Sequence, residues 1–228
     1  MGRPSGMLVL STMLPIVLAG PARMLSSGVA LVRQSRRPYF ALNLIYYGLV
    51  VGGMTFVVFR PSVQHFLLQA VGGAFMEGPL SVVGSAYVGG QVLVAIMLTF
   101  IVNLVVGSIL CITIPSLLIP FSGIVIGGLR AVLWGLLLSP AMPELRMAMV
   151  PHSVTLVLEG QAYTLAMLGA YIHGRAFLWP DTVGVAGRRQ AYLGGVRRTL
   201  RLYVLVAIML AVAAVYEAIE VIFVIPLL

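Results

Sequence analysis

Residues 100–137 read FIVNLVVGSILCITIPSLLIPFSGIVIGGLRAVLWGLL, with Arg130 as the sole charged side chain. Crossing a hydrocarbon layer of roughly 30 Å takes about 20 helical residues, so this stretch holds two crossings. Pro115 and Pro120 fall between them, and a proline interrupts the helical hydrogen-bond ladder. The reading is a tight helical hairpin, Val88–Ile112 followed by Ser116–Leu138. Working outward, three more apolar runs have spanning length. Tyr39–Val58 is closed by Phe59-Arg60-Pro61, Val150–His173 follows the hairpin, and Leu202–Phe223 lies near the C-terminus. The predicted fold class is all-α: a polytopic helical membrane bundle of about five transmembrane helices.

Composition agrees. The 228 residues are 61% hydrophobic and 9% charged, with mean hydropathy +1.08, against roughly 45–50% apolar and about 25% charged in soluble domains. A soluble domain of this size has too little interior for so many apolar side chains. The net charge of +8 comes from fourteen basic residues, all arginine. They flank apolar runs, as topology charge does, so no nucleic-acid partner is expected. Arg3, Arg23, Arg33, Arg36 and Arg37 precede the first run; Arg175, Arg188, Arg189, Arg197, Arg198 and Arg201 lie between the fourth and fifth. Five crossings put both groups on one side, which the positive-inside rule makes cytoplasmic. The expectation is an N-terminus inside and a C-terminus outside, in the plasma membrane of a bacterium or archaeon. Residues 1–38 form a cytoplasmic or interfacial segment, with a short apolar stretch at Met7–Gly20 and an amphipathic helix around Ala22–Gln34. Residues 39–228 form the membrane domain. Its outer loop, 60–87, holds an interfacial helix near Ser62–Phe75, and its Arg-rich cytoplasmic loop, 174–201, suits anionic lipid headgroups.

The chemistry lies in ionisable residues inside apolar runs: Arg130, Glu159, Glu217 and Glu220. A charge at mid-bilayer costs several kcal/mol and faces the bundle interior beside a partner. At about 1.5 Å per residue, Arg130 lies about 12 Å from one boundary, Glu159 about 13 Å and Glu217 about 9 Å from the same boundary. Glu217 and Glu220, three apart, share a helix face. The spacing predicts a buried polar cluster in the outer half, where Arg130 pairs with Glu159 and one glutamate of the last helix and His152 donates to the same network. Three carboxylates then face one guanidinium, so at least one carries a proton or reaches water. Asn103 and Asn43 must hydrogen-bond within the bundle. Ser122, Gly123, Gly127 and Gly128 give the third run a small face for close helix packing.

No catalytic constellation is legible. Phosphate-binding and dinucleotide-binding glycine loops are absent, as is a nucleophile elbow. His65, His152 and His173 have no metal-site spacing, and Cys111 is a lone apolar-run cysteine. No catalytic residue, metal or cofactor is expected.

Phe-x-x-Asn-Leu at Phe100–Leu104, Gly-x-x-x-Gly-Gly at Gly123–Gly128, PHSVTLVLEGQAYTLAMLGAYIHG from Pro151 and AAVYEAIE at Ala213–Glu220 together resemble the stage II sporulation protein M family of bacterial and archaeal membrane proteins. The resemblance covers roughly residues 89–225. Family members carry Pro-His-Gly with a glutamate about four residues beyond the histidine. Here Ser153 replaces that glycine and Glu159 stands seven residues after His152, which keeps the same helix face. The resemblance implies a non-enzymatic scaffold or assembly subunit of a membrane or cell-envelope complex, with other membrane proteins as partners and homo-oligomerisation open. The alternative from the residues themselves is a small transporter or proton-conducting subunit that uses the intramembrane glutamates.

Overall fold

The computed structural model describes residues 23–184 and 187–228, and every regular element among them is helical. The expected apolar stretch Met7–Gly20 lies outside the described residues. Helix α1, residues 23–34, runs almost unbroken into α2, Arg36–Phe59: the Ser35 amide still donates to the Leu31 carbonyl at 2.9 Å, and the Ser35 carbonyl accepts from Tyr39. Next come α3 (Pro61–Met76), α4 (Ser81–Val88), α5 (Val92–Leu118) and α6 (Ser122–Leu137). One helical turn at Pro143–Arg146 precedes α7 (Met149–Leu178), and α8 (Arg188–Leu227) closes the chain.

Three of these helices, α2, α5 and α8, are long and apolar enough to cross a membrane. Taken together, α3 and α4 meet the same test but bend by 85° at their junction, and α6 is apolar but has only 16 residues. Helix α7 has ample length, 30 residues, yet carries His152, Glu159, Gln161, His173 and Arg175. Its position explains that polarity. Every residue from Ala162 to Ala170 is buried, whichever way it points, because α7 packs against α2, α5, α6 and, most extensively, α8. Over that stretch the helix is enclosed by protein and needs no apolar face for lipid, whereas Val150, Val154 and Val157 nearer its start are exposed. The outer helices show the converse pattern. Leu93, Met97 and Ile101 form an exposed stripe at four-residue spacing on α5, and Phe40, Leu44 and Val51, four and seven apart, form one on α2. Large exposed apolar side chains in such stripes are what a lipid-facing surface presents.

The loops differ from the expected boundaries. The outer loop 60–87 is two helices, so the single helix expected near Ser62–Phe75 is followed by a second. The Arg-rich loop 174–201 is mostly helix: α7 continues to Leu178 and α8 begins at Arg188. Arginines are good helix formers, so their charge marks an end of the bundle without breaking a helix. Pro115 lies inside α5, and the hairpin turn instead falls at Ile119–Phe121, where Phe121 takes φ 67°. That left-handed conformation costs a non-glycine residue roughly 1–2 kcal/mol. The Phe121 ring packs near Tyr171 and Trp179, with centroids 6.2 and 6.1 Å away, which holds the turn in place.

Successive long helices run in opposite directions, so chain order sorts their ends. The start of α2, the end of α7 and the start of α8 lie at one end with the arginine clusters; Gly28 of α1 abuts the Arg201 carbonyl there. The ends of α6 and α8 and the starts of α5 and α7 lie at the other. Close approach is set by glycine. Gly123 meets the Ile112 carbonyl of α5, and Gly127 meets Met167 of α7, as the small face predicts. Gly53 and Gly135 bring α2 and α6 together. A Cβ on Gly53 would fall 2.8 Å from the Val132 carbonyl oxygen, and one on Gly135 would strike the Val50 backbone. Gly135→Val is therefore expected to cost about 1–3 kcal/mol through overpacking, read as a lower unfolding temperature in detergent.

Gln64 fastens the bent pair to α6, and the Tyr87 hydroxyl hydrogen-bonds the Thr99 hydroxyl of α5 at 2.9 Å. Gln64 is fully buried, and its Nε2 donates to the carbonyls of Leu137 at 3.0 Å and Ser139 at 2.8 Å. These are carbonyls at the C-terminal end of α6, which the helix itself leaves unpaired. Gln64→Leu is expected to cost about 1–3 kcal/mol by orphaning them, and to raise proteolytic cleavage between residues 60 and 90.

Candidate functional site

At the end of the bundle opposite the arginine clusters is a cavity of about 460 Å³. The bent pair supplies one wall through Ala74, Phe75, Val83 and Tyr87. The other walls come from α5 (Thr99, Asn103, Val106), α6 (Arg130, Trp134), α7 (His152, Thr155, Glu159) and α8 (Glu217). Four helices thus deliver Asn103, Arg130, His152, Glu159 and Glu217 to one place. Glu220 adjoins through its bond to His152 and is buried.

Asn103 is the hub. Its Nδ2 donates to Glu159 Oε1 at 2.5 Å, and its Oδ1 accepts from the Tyr163 hydroxyl at 2.7 Å and from Arg130 Nη2 at 3.3 Å. Arg130 Nη2 also donates to the Tyr163 hydroxyl at 2.6 Å. The guanidinium carbon sits 4.2 Å from the Tyr163 ring centroid and 5.4 Å from that of Trp134, within cation–π range. A second group lies beside it. His152 Nδ1 is 2.9 Å from Glu220 Oε1, Thr155 Oγ1 donates to Glu220 Oε2 at 2.8 Å, and the Tyr216 hydroxyl donates to the Pro151 carbonyl.

These contacts correct the predicted pairing. Arg130 forms no ion pair with a glutamate among the described residues. It reaches Glu159 through Asn103, because the amide, with one donor group and one acceptor, fits between two charges that both need partners. Glu220 is claimed by His152 and Thr155. Glu217 makes no hydrogen bond among the described residues, and its Oε2 is buried without a partner. Arg130 Nε and Trp134 Nε1 are likewise buried and unpartnered. Buried polar atoms are almost always satisfied; of the six unpartnered ones among the described residues, these three sit on residues lining one cavity.

Asn43 lies elsewhere. It belongs to a separate α2–α7 network centred on Gln161, whose Nε2 donates to Asn43 Oδ1 at 2.7 Å and to the Tyr47 hydroxyl at 3.0 Å, and whose Oε1 accepts from the Tyr39 hydroxyl.

Local helix geometry places the hub. Residues Val102–Thr113 of α5 are π-helical, and so are Glu220–Val224 of α8. The wider turn is rare and occurs often at functional sites; here the two segments begin beside Asn103 and at Glu220. Tyr163, Thr155, Trp134, Tyr87 and Thr99 join the site without having been singled out from sequence. A signal existed for two of them: His152, Thr155, Glu159 and Tyr163 follow one another at spacings of three, four and four, a single helix face.

No family model, curated protein or solved structure matches this chain.

Proposed function

We propose that this protein is a small proton-linked transporter with five membrane crossings, its N-terminus cytoplasmic and its C-terminus outside, in the plasma membrane of a bacterium or archaeon. The observation that carries the reading is the 460 Å³ cavity, walled by α3–α8 and lined by Arg130, His152, Glu159 and Glu217, with three buried polar atoms left unpartnered. Ionisable residues inside an apolar bundle mark solute and proton routes when they face a common cavity. In this reading Glu217, the acid with no protein partner, exchanges a proton for the solute. The Arg130–Asn103–Glu159 and His152–Glu220 groups hold the walls. The bent pair α3–α4, fastened to α6 through Gln64, is the movable wall.

The scaffold role implied by the stage II sporulation protein M resemblance rests on sequence motifs alone. His152, Glu159 and Glu217, which carry that resemblance, all line the cavity.

The test is a proton flux. Protein is reconstituted into vesicles loaded with a pH-sensitive dye, and a pH gradient is imposed. Protein-dependent dissipation is expected, at least ten times slower in Glu217→Gln and Glu159→Gln. Rates equal to those of empty vesicles, or unaffected by both substitutions, would reject the reading.

A further inference from the structure

We infer that the cavity is a binding site for an apolar ammonium compound, a small protonated amine with an aromatic or branched body, and that Glu217 is its counter-ion. The inference rests on the cavity read above as the transport site and names its ligand class.

Charge sets the sign. Three carboxylates at the site, Glu159, Glu217 and Glu220, face one guanidinium and at most one imidazolium, so ionised they leave at least one negative charge. The contacts say which acid holds it. Glu159 is joined to Arg130 through Asn103, Glu220 is paired with His152 and Thr155, and Glu217 has no partner. A cation entering the cavity meets one carboxyl group without a protein partner, and Glu217 gives up its proton to water as the cation binds.

The walls set the body of the ligand. A bare metal cation wants several oxygen ligands, and the described residues contain no group of three or more His, Cys, Asp or Glu placed to hold one. The same lining includes instead Phe75, Tyr87, Trp134, Val83 and Val106. Aromatic faces attract an ammonium group, and the aliphatic lining suits an apolar body. A volume of about 460 Å³ falls in the range of roughly 300–1,000 Å³ for sites that take small organic molecules. The unpartnered donors Trp134 Nε1 and Arg130 Nε point to an acceptor as well, met by an oxygen on the ligand or by a water bound with it.

The experiment uses the full chain in lipid nanodiscs, titrated with phenethylamine at neutral pH. Two uncharged or oppositely charged analogues, 2-phenylethanol and phenylacetate, serve as competitors. Saturable phenethylamine binding is expected, unaffected by either analogue. Glu217→Gln is expected to weaken it about 10- to 100-fold, as loss of a charged hydrogen bond does. Val106→Trp, at a half-exposed wall position on α5, fills part of the cavity and leaves Glu217 in place, and it is expected to abolish binding. It decides the matter if Glu217→Gln does not fold. Absence of saturable binding, equal binding by both variants, or competition by 2-phenylethanol would overturn the inference. The two proposals separate cleanly. Glu217-dependent proton flux without phenethylamine binding overturns the amine site and leaves the transporter standing. Binding without flux does the reverse.

Discussion

Asn103→Leu is expected to destabilise the protein by about 3–5 kcal/mol, the range seen when a buried charge pair loses one side of its support. Leucine has the branched shape of asparagine and is larger, so the change opens no cavity. What it removes is the bridge between Arg130 and Glu159, together with the acceptor for the Tyr163 hydroxyl. A guanidinium and a carboxylate are then left inside an apolar bundle without their mutual link. Unfolding in detergent by fluorescence-monitored thermal melting reads the loss. Asn103→Asp is the informative companion. It keeps the acceptor for Arg130 and Tyr163 but sets a second acid against Glu159, so it is expected to fall between wild type and Asn103→Leu. A leucine variant as stable as wild type would show that Arg130 and Glu159 do not depend on the bridge.

His152→Ala is expected to cost a similar amount, about 3–5 kcal/mol, because it strands a buried carboxylate. Glu220 is 1% exposed, and apart from His152 only Thr155 hydrogen-bonds it among the described residues. The rescue distinguishes this cause from simple loss of packing. His152→Ala combined with Glu220→Gln removes the stranded charge, and the double variant is expected to recover most of the stability lost in His152→Ala alone. Additive losses in the double variant would mean that the two side chains are not coupled.

Much of this fold is legible in the sequence, because hydropathy and chain reversal decide it. Runs of spanning length alternate in direction, so the depth count from Leu138, Val150 and Phe223 places Arg130, Glu159 and Glu217 at the same end of the bundle, and there they line one cavity. The small face Gly123–Gly128 reads correctly for the same reason: a residue without a side chain shows where another helix comes close. Two features escape the sequence. The π-helical turns at Val102–Thr113 and Glu220–Val224 have no residue signature, and each shifts the side chains after it around the helix. Counting at 3.6 residues per turn finds the right neighbourhood for Arg130, Glu159 and Glu220 but pairs the guanidinium directly with glutamates, where Asn103 stands between Arg130 and Glu159 and His152 holds Glu220. The bent pair α3–α4 reads as a loop because each half is too short to register as a span. The Gln161 network was readable in hindsight. Tyr39, Asn43 and Tyr47 lie four apart on one face of α2, and such a polar stripe within an apolar run must meet a polar group opposite.

The account turns on whether water and solutes reach Glu217 inside the bundle. Thiol accessibility in intact membranes asks this directly, in a Cys111→Ser background that removes the one native cysteine. Glu217→Cys and Glu159→Cys lie on the cavity wall, whereas Leu129→Cys, beside Arg130, lies on the 65% exposed outer face of α6. A membrane-impermeant charged thiol reagent needs water to form and meet the thiolate. Rapid modification of the two cavity positions and none at position 129 is the predicted result. Protection of both cavity positions would contradict a hydrated site, and with it the transport role.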